Sequence, residues 1–290
     1  MKNIGFVGLG NMGSKMASNL LKAGYNVFGY DVNNKLIDAL SGKGINKILS
    51  LKDLSKNMDV IITMLPDGDT VENVLNEIIT DIKNSPIIID CSTIDVNKCK
   101  FLNNFCLSKK INFLDAPVSG GTKGAEDSTL TFMVGGKEKI CSQITSLLEK
   151  MGSKVIYCGE NGSGQATKLC NNMLLATTMI GVSESINMAK NLNLNIETLF
   201  KVLSTATGSC WAINSYFPVK DTGPSSPADN NFLPGFSAKL MAKDLKLAIN
   251  AARDSGSKTD FGNMAESAYS KMANGENGNK DFSAIINEVK

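Results

Sequence analysis

The first half of the chain alternates between short, nearly continuous apolar runs and longer stretches whose apolar residues recur at helical spacing. Runs of the first kind, at Ile4 to Val7, Asn26 to Tyr30, Met58 to Met64, Ile87 to Cys91, Asn112 to Asp115, Thr129 to Val134 and Lys154 to Cys158, read as strands. Helices are expected between them. The first carries Met12, Met16, Leu20 and Ala23 on its buried face, and others span about Thr70 to Ile82, Val96 to Leu107 and Glu138 to Met151. Strands alternating with helices imply right-handed crossovers and a mostly parallel, doubly wound sheet, with any ligand at the carboxyl ends of its strands.

After Gly159, Gly162 and Gly164 the pattern changes. Gln165 to Leu192 reads as one long helix that is apolar on more than one face, hence buried. Helices from about Asn195 to Ala206, Ser237 to Ser255, Phe261 to Ala273 and a short one after Lys280 follow, with no strand pattern among them. The expected organisation is an α/β domain over residues 1–162 and an all-helical domain over residues 163–290 that begins with the long helix.

Gly8-Leu9-Gly10-Asn11-Met12-Gly13 is a G-x-G-x-x-G sequence with a strand before it and a helix after it, the setting in which it binds a dinucleotide on a Rossmann sheet. Gly8 permits the tight turn, Gly10 lets the backbone approach a pyrophosphate on the helix N-terminus, and Gly13 lets the helix lie close to the strand. Asp31 stands at the end of the second strand. There it either accepts hydrogen bonds from the adenosine ribose hydroxyls or caps the next helix. Its charge repels a 2'-phosphate, and Val32, Asn33 and Asn34 bring no arginine, so NAD is favoured over NADP.

Three further loops carry candidate contacts. Met64, Leu65 and Pro66 offer apolar cover for a nicotinamide face, and Thr93 a hydroxyl for ribose or substrate. Ser119, Gly120 and Gly121 offer a hydroxyl and free amides that suit a small carboxylate, although a flexible glycine turn has the same local composition. Lys168 and Asn172 share a helix face among Leu169, Met173, Leu174 and Leu175. An ammonium group desolvated there becomes an acid/base catalyst, whereas one at a surface turn simply snorkels. In the helical half, Trp211 and Phe236 are candidate pocket walls beside a proline-rich loop from Pro218 to Pro234, with core packing or a subunit interface the alternatives for Trp211. Lys243 is placed to reach the cofactor and Asp244 to restrain a lysine, though adjacent helical residues do not face each other.

Composition narrows the chemistry. The chain has 290 residues, 42% hydrophobic, 20% charged and net +2, with scattered lysines that make no nucleic-acid footprint. It has no histidine, which leaves Lys, Asp, Glu, Tyr or Cys for acid/base work. Seven cysteines without a C-x-x-C pair suit a reducing, intracellular compartment and no metal site. No run is long and apolar enough to expect a membrane span. The first strand is expected almost at Met1, which leaves no room for a signal or transit peptide, and a chain whose presequence had been removed would read identically.

Taken together, Gly8 to Gly13 with Met16-Ala17-Ser18-Asn19-Leu20, Asp115-Ala116-Pro117-Val118-Ser119-Gly120-Gly121, and Gly164 through Lys168 to Asn172 resemble the β-hydroxyacid dehydrogenase family over the whole chain. The resemblance implies NAD-dependent oxidation of a small β-hydroxy carboxylate, and the long apolar helix, which often finds part of its cover in another subunit, suits a homodimer or homotetramer. Lys168 is then the general base, Asn172 lies beside the substrate and Lys243 against the dinucleotide. Thr63-Met64-Leu65-Pro66, Cys210-Trp211, Tyr216 with Pro218-Val219, and Leu240-Met241-Ala242-Lys243-Asp244 are most similar to the branch acting on 3-hydroxyisobutyrate in valine breakdown. That implies the mitochondrial matrix in a eukaryote and the cytoplasm in a bacterium. The alternatives are a reductase of tartronate, glyoxylate or succinate semialdehyde, and, more distantly, a noncatalytic dinucleotide-binding module. Lys168 must be neutral to accept a proton, so oxidative activity is expected to rise at alkaline pH.

Overall fold

A computed structural model describes residues 1–80, 82 and 85–289, and the chain divides into two compact units, Met1–Lys168 and Leu169–Lys290. In the first, β1 (Asn3–Val7) leads through α1 (Gly13–Lys22) to β2 (Asn26–Tyr30), then α2 (Asn34–Ser41) and the short β3 (Asn46–Lys47). β4 (Val60–Thr63), α3 (Gly68–Thr80), β5 (Ile87–Asp90), α4 (Val96–Ser108) and β6 (Asn112–Asp115) continue the alternation. The expected last turn of α3, at Asp81, lies outside the described residues. After β6 come β7 (Val118–Ser119), α5 (Gly121–Glu126), β8 (Leu130–Gly135), α6 (Glu138–Leu148) and β9 (Gly152–Gly159).

The sheet order is β3-β2-β1-β4-β5-β6-β8-β7, with β9 paired to β8. β1 to β6 are mutually parallel, whereas β8 runs antiparallel to β6 and to β7. Both faces of the sheet are covered. Phe6, Ile62, Ile89 and Leu114 pack on one face with Met16 and Leu20 of α1, while Val7, Ile61, Ile88 and Phe113 pack on the other with Leu75 and Leu102. Successive strand residues point to opposite faces, so two buried faces require the continuous apolar runs seen in the sequence. Ala23 is not on the buried face of α1; it is the exposed C-cap, where the helix ends.

The second unit contains most of α7 (Ser163–Asn191), then α8 (Ile196–Leu203), α9 (Trp211–Asn214), α10 (Ala238–Asp254) and α11 (Asp260–Asn274). Ala176, Met179 and Ile186 of α7 share a core with Met241 and Leu245 of α10 and Tyr269 of α11. The loop from Pro218 to Pro234 contains a 3-10 turn, Pro227–Asn230, closed by a capping box between Ser226 and Asp229. Among the described residues no helix is long and apolar enough to cross a membrane, and no cluster of His, Cys, Asp or Glu is arranged to hold a metal.

Asp281 ties the end of this unit together. Its fully buried carboxylate accepts hydrogen bonds from the backbone N–H groups of Gly235 (3.0 Å), Phe236 (3.1 Å) and Ser283 (3.0 Å) and from the hydroxyls of Tyr216 (3.1 Å) and Ser283 (2.8 Å). Burial raises its pKa, and these donors oppose the rise. Removing the acceptor strands several buried donors, so Asp281→Ala is expected to cost at least about 3 kcal/mol of stability. Asp281→Asn, which keeps one acceptor oxygen, should cost less. Urea unfolding followed by circular dichroism measures both, and a loss below about 1 kcal/mol for the alanine variant contradicts this role.

Candidate active site

Parallel pairing sets the site's level. Val7 is in register with Tyr30 and Thr63, Thr63 with Asp90, and Asp90 with Asp115, so the loops after β1, β2, β4, β5 and β6 leave the sheet along one edge. The chain steps outward from β1 to β2 and returns to start β4 on the other side of β1, which makes this edge a topological switch point.

Gly8 takes φ +90°, and a Cβ there would strike the Met64 carbonyl. At Gly13 a Cβ would strike the Gly8 carbonyl, so α1 can start this close to β1 only without side chains. Gly10 is different: nothing lies within 4 Å of the position its Cβ would occupy. That open backbone at a helix N-terminus fits a pyrophosphate. Asp31 accepts hydrogen bonds from Leu9 N–H (2.7 Å) and Asn33 N–H (2.8 Å), which fixes an anionic group beside the loop. The cap of α2 is Asn33 rather than Asp31, since its side chain accepts from Lys35 N–H. Leu9, Asn11 and Met12 complete the turn from β1 to α1, and Asp31 lies beside it.

Leu65 lies against Gly8, half-buried, while Met64 is half-buried and Pro66 exposed. Leu65 N–H donates to Ser92 Oγ at 2.9 Å, joining the loops after β4 and β5. Thr93 is half-buried between Ser92 and Ile94, whose backbone is gripped by the buried Gln165: Nε2 donates to Ser92 O (2.7 Å) and Oε1 accepts from Ile94 N–H (3.1 Å). The stretch from Asp115 to Thr122, expected as one loop, closes β6, forms the short β7 and opens α5. Ser119 lies in register with Thr131 of β8, and Gly120 at φ +133° is the N-cap of α5. Lys15 of α1 reaches Thr122 O (3.3 Å) and Glu126 (3.0 Å), and Asn19 donates to Ala125 O (2.7 Å). α1 and α5, the helix that follows Ser119, are thereby braced against each other.

Lys168 is 7% exposed and Asn172 2%, one turn apart on α7, so a snorkelling lysine is not what the structure shows. In the helical unit Asn172 Nδ2 donates to Asp244 Oδ2 at 2.7 Å, and Asp244 Oδ1 lies 3.5 Å from Lys243 Nζ. Adjacent helical positions thus do pair here, because the long lysine arm folds back to the nearly buried carboxylate. Trp211 opens α9 with 52% of its surface exposed, which excludes core packing. It stacks on Tyr216 (centroids 4.9 Å apart), Tyr216 stacks on Phe282 (5.4 Å), and half-buried Phe236 meets Phe282 edge-on (5.9 Å).

Residues 3–159 match the model of the NAD-binding domain of 6-phosphogluconate dehydrogenase, and residues 162–289 that of the NAD-binding region of NADP-dependent 3-hydroxyisobutyrate dehydrogenase. The mitochondrial 3-hydroxyisobutyrate dehydrogenase of Drosophila melanogaster is 44% identical over 290 residues, covering 100% of this chain and 90% of that protein. That of Pongo abelii is 41% identical over 98% of this chain and 85% of its own. The chain belongs to the 3-hydroxyisobutyrate dehydrogenase family. A solved structure of the Mycobacterium tuberculosis 3-hydroxyisobutyrate dehydrogenase with L-serine superposes with a TM-score of 0.96 at 40% identity, covering 100% of this chain and 99% of that one. The family's doubly wound sheet followed by a helical region is the fold found here, and the chain is a dinucleotide-dependent oxidoreductase.

Within this family architecture, several buried polar residues escaped sequence reasoning. Asp90 and Asp115 looked like strand ends, and Gln165 like a polar residue opening a helix. The available signal was a carboxylate closing each of two adjacent apolar strands. Asp90 accepts from Thr63 Oγ1 (2.8 Å) and Ser92 N–H (3.1 Å), while its Oδ2 has no hydrogen-bond partner. Burial pushes its pKa from 3.8 up to about 6, with the nearby Asp115 charge adding to the rise and hydrogen bonds from Ser92 and Thr63 opposing it.

The raised pKa has a direction in stability. The favourable contribution from protonated Asp90 is complete below the unfolded value of 3.8 and disappears as pH rises through about 6. The difference corresponds to about 3 kcal/mol. The melting temperature of Asp90→Asn, measured against wild type, should therefore increase steadily relative to it between about pH 4 and pH 7. Parallel melting curves for the two proteins across that window would rule out a titrating Asp90.

Proposed function

We propose that this protein oxidises 3-hydroxyisobutyrate to methylmalonate semialdehyde with NAD, as a step of valine breakdown, using residues 1–162 for the dinucleotide and 163–290 for substrate and subunit contacts. The observation that carries the reading is Lys168, an amine withdrawn from water on α7 with Asn172 one turn away. The substrate carboxylate is held by Ser119 Oγ and the Gly120 and Gly121 amides, with Thr93, Trp211, Phe236 and Asp244 as further contacts. Lys168 Nζ takes the hydroxyl proton, and Asn172 orients the hydroxyl or carboxylate. Bound NAD supplies the hydride acceptor. Asp244 holds the Asn172 amide in place and draws in Lys243, which contacts the dinucleotide.

The L-serine in the mycobacterial relative's structure is itself a β-hydroxy carboxylate, in keeping with this substrate class. Lys168→Ala should lower kcat by about 10²–10⁴ while leaving NADH binding intact. A variant retaining more than about a tenth of wild-type kcat refutes Lys168 as the base. Wild-type kcat in the oxidative direction should rise with pH as the amine loses its proton. A kcat/KM panel of 3-hydroxyisobutyrate, 3-hydroxypropionate, glycerate and serine ranks the substrates.

Cofactor preference rests on Asp31. One family description names NADP, but a carboxylate fixed by Leu9 and Asn33 at the end of β2 repels a 2'-phosphate, and the neighbouring residues bring no arginine. NAD is accordingly the physiological cofactor on this reading. Asp31→Ser should raise the NADP-to-NAD ratio of kcat/KM at least about tenfold, the effect of about 1.4 kcal/mol; an unchanged ratio removes Asp31 as the selector. Exposed Leu174 and Met188 on α7, Leu192 in the turn after it, and Phe261 and Met264 on α11 favour a homodimer or homotetramer, which light scattering tests. The eukaryotic relatives' names specify mitochondria, and the corresponding locations here are the mitochondrial matrix in a eukaryote and the cytoplasm in a bacterium.

A further inference from the structure

Gln165 has no place in the reaction described above, yet it is fully buried in the first turn of the helix that carries Lys168. A buried carboxamide is costly unless its donor and acceptor are both satisfied. Here they are satisfied by neighbouring peptides of one loop: Nε2 donates to Ser92 O at 2.7 Å and Oε1 accepts from Ile94 N–H at 3.1 Å. Between those two peptides sits Thr93. Gln165's own backbone N–H donates to Asp115 Oδ2 at 2.9 Å, and Asp115 Oδ1 accepts from Gly162 N–H at 2.8 Å. The helix start is therefore already capped by Asp115, and α7 does not need the Gln165 side chain to begin.

The side chain has a different consequence. It fixes the rotation and height of the first turn of α7 against the loop after β5, and Lys168 lies one turn further along. A small rotation there moves Nζ by a large fraction of an ångström, and misplacement by about 1 Å can cost 10²-fold in rate. We propose that Gln165 is a positioning residue for proton transfer, locking Lys168 to the Thr93 loop through the paired bonds to Ser92 and Ile94. This rests on the reading of Lys168 as the proton acceptor.

The test is a double-mutant cycle in the full-length protein with Gln165→Met, Lys168→Ala and the combined variant, each assayed for kcat per NADH-binding site counted by fluorescence titration. Methionine keeps the length and removes both bonds. Gln165→Met should retain NADH binding and lose about 10- to 100-fold in kcat. In the Lys168→Ala background the same change should alter kcat by less than about threefold, because the group it positions is gone. A fall smaller than about tenfold in the single variant overturns the proposal, as does a full multiplicative loss in the double variant.

Failure of the base assignment shows separately, as Lys168→Ala keeping more than about a tenth of wild-type kcat. Should Gln165→Met bind no NADH, Gln165→Glu carries the test, since its side chain makes both bonds only when protonated. Its kcat relative to wild type must then rise at least about fivefold from about pH 9 to about pH 6, and any smaller rise overturns the proposal.

Discussion

A single carboxylate at the end of β6 holds the beginning of α7. Asp115 gives one oxygen to Gly162 N–H and the other to Gln165 N–H, which are groups that a helix N-terminus leaves without internal partners. The approach is so close that Gly164 tolerates no side chain: a Cβ there would strike the Met133 carbonyl and lie 2.8 Å from Asp115 Oδ2. Gly135 is constrained in the same way, its Cβ position being 2.5 Å from Asp115 Oδ1. Lys168 owes its position to this junction, and the strand that supplies Asp115 runs on into the Ser119 segment. Burial raises the Asp115 pKa, while the Gly162 and Gln165 amides oppose the rise by favouring the charged form.

The same edge of the sheet holds a second buried carboxylate in register with the first. Asp90 and Asp115 stand on neighbouring strands, and each is surrounded by short polar groups rather than by a cation: Thr63 and Ser92 for Asp90, backbone amides and the Cys99 thiol for Asp115. These groups also bind the loops to one another, since Ser92 accepts from Leu65 and is held by Gln165. What looks in sequence like separate loops after β4, β5 and β6 is one connected hydrogen-bonded rim. Most of its bonds are buried, where the low local dielectric strengthens them.

The helical unit organises its polar residues around two carboxylates. Asp244 connects Asn172 of α7 to Lys243 of α10, and Asp281 connects the C-terminal 3-10 turn, Phe282–Asn287, to the Gly235-Phe236 backbone and to Tyr216. Tyr216 in turn backs Trp211, leaving that indole half exposed on a fixed aromatic stack. With no histidine in the sequence, acid/base chemistry near neutral pH falls to groups whose environments are built in this way.

Much of this was legible in the sequence. Strand and helix alternation is a local property of hydrophobic spacing, and a doubly covered parallel sheet makes its strands continuously apolar, so the fold class follows from composition along short windows. The glycines of Gly8 to Gly13 and the pairing of Lys168 with Asn172 on one face follow from backbone geometry alone. The short β7 and α5 after Asp115 were not legible, because small, glycine-rich residues fit a turn as well as a strand edge. Nor were the roles of Asp90, Asp115, Gln165 and Asp281, whose partners lie on other elements. For Asp115 and Gln165 those partners are about fifty residues or more away in the chain. The sequence by itself determined which elements form and which residues are chemically competent. Tertiary structure alone decided which buried carboxylates and amides meet, since that depends on strand order and register, and neither is encoded at the site of any one residue.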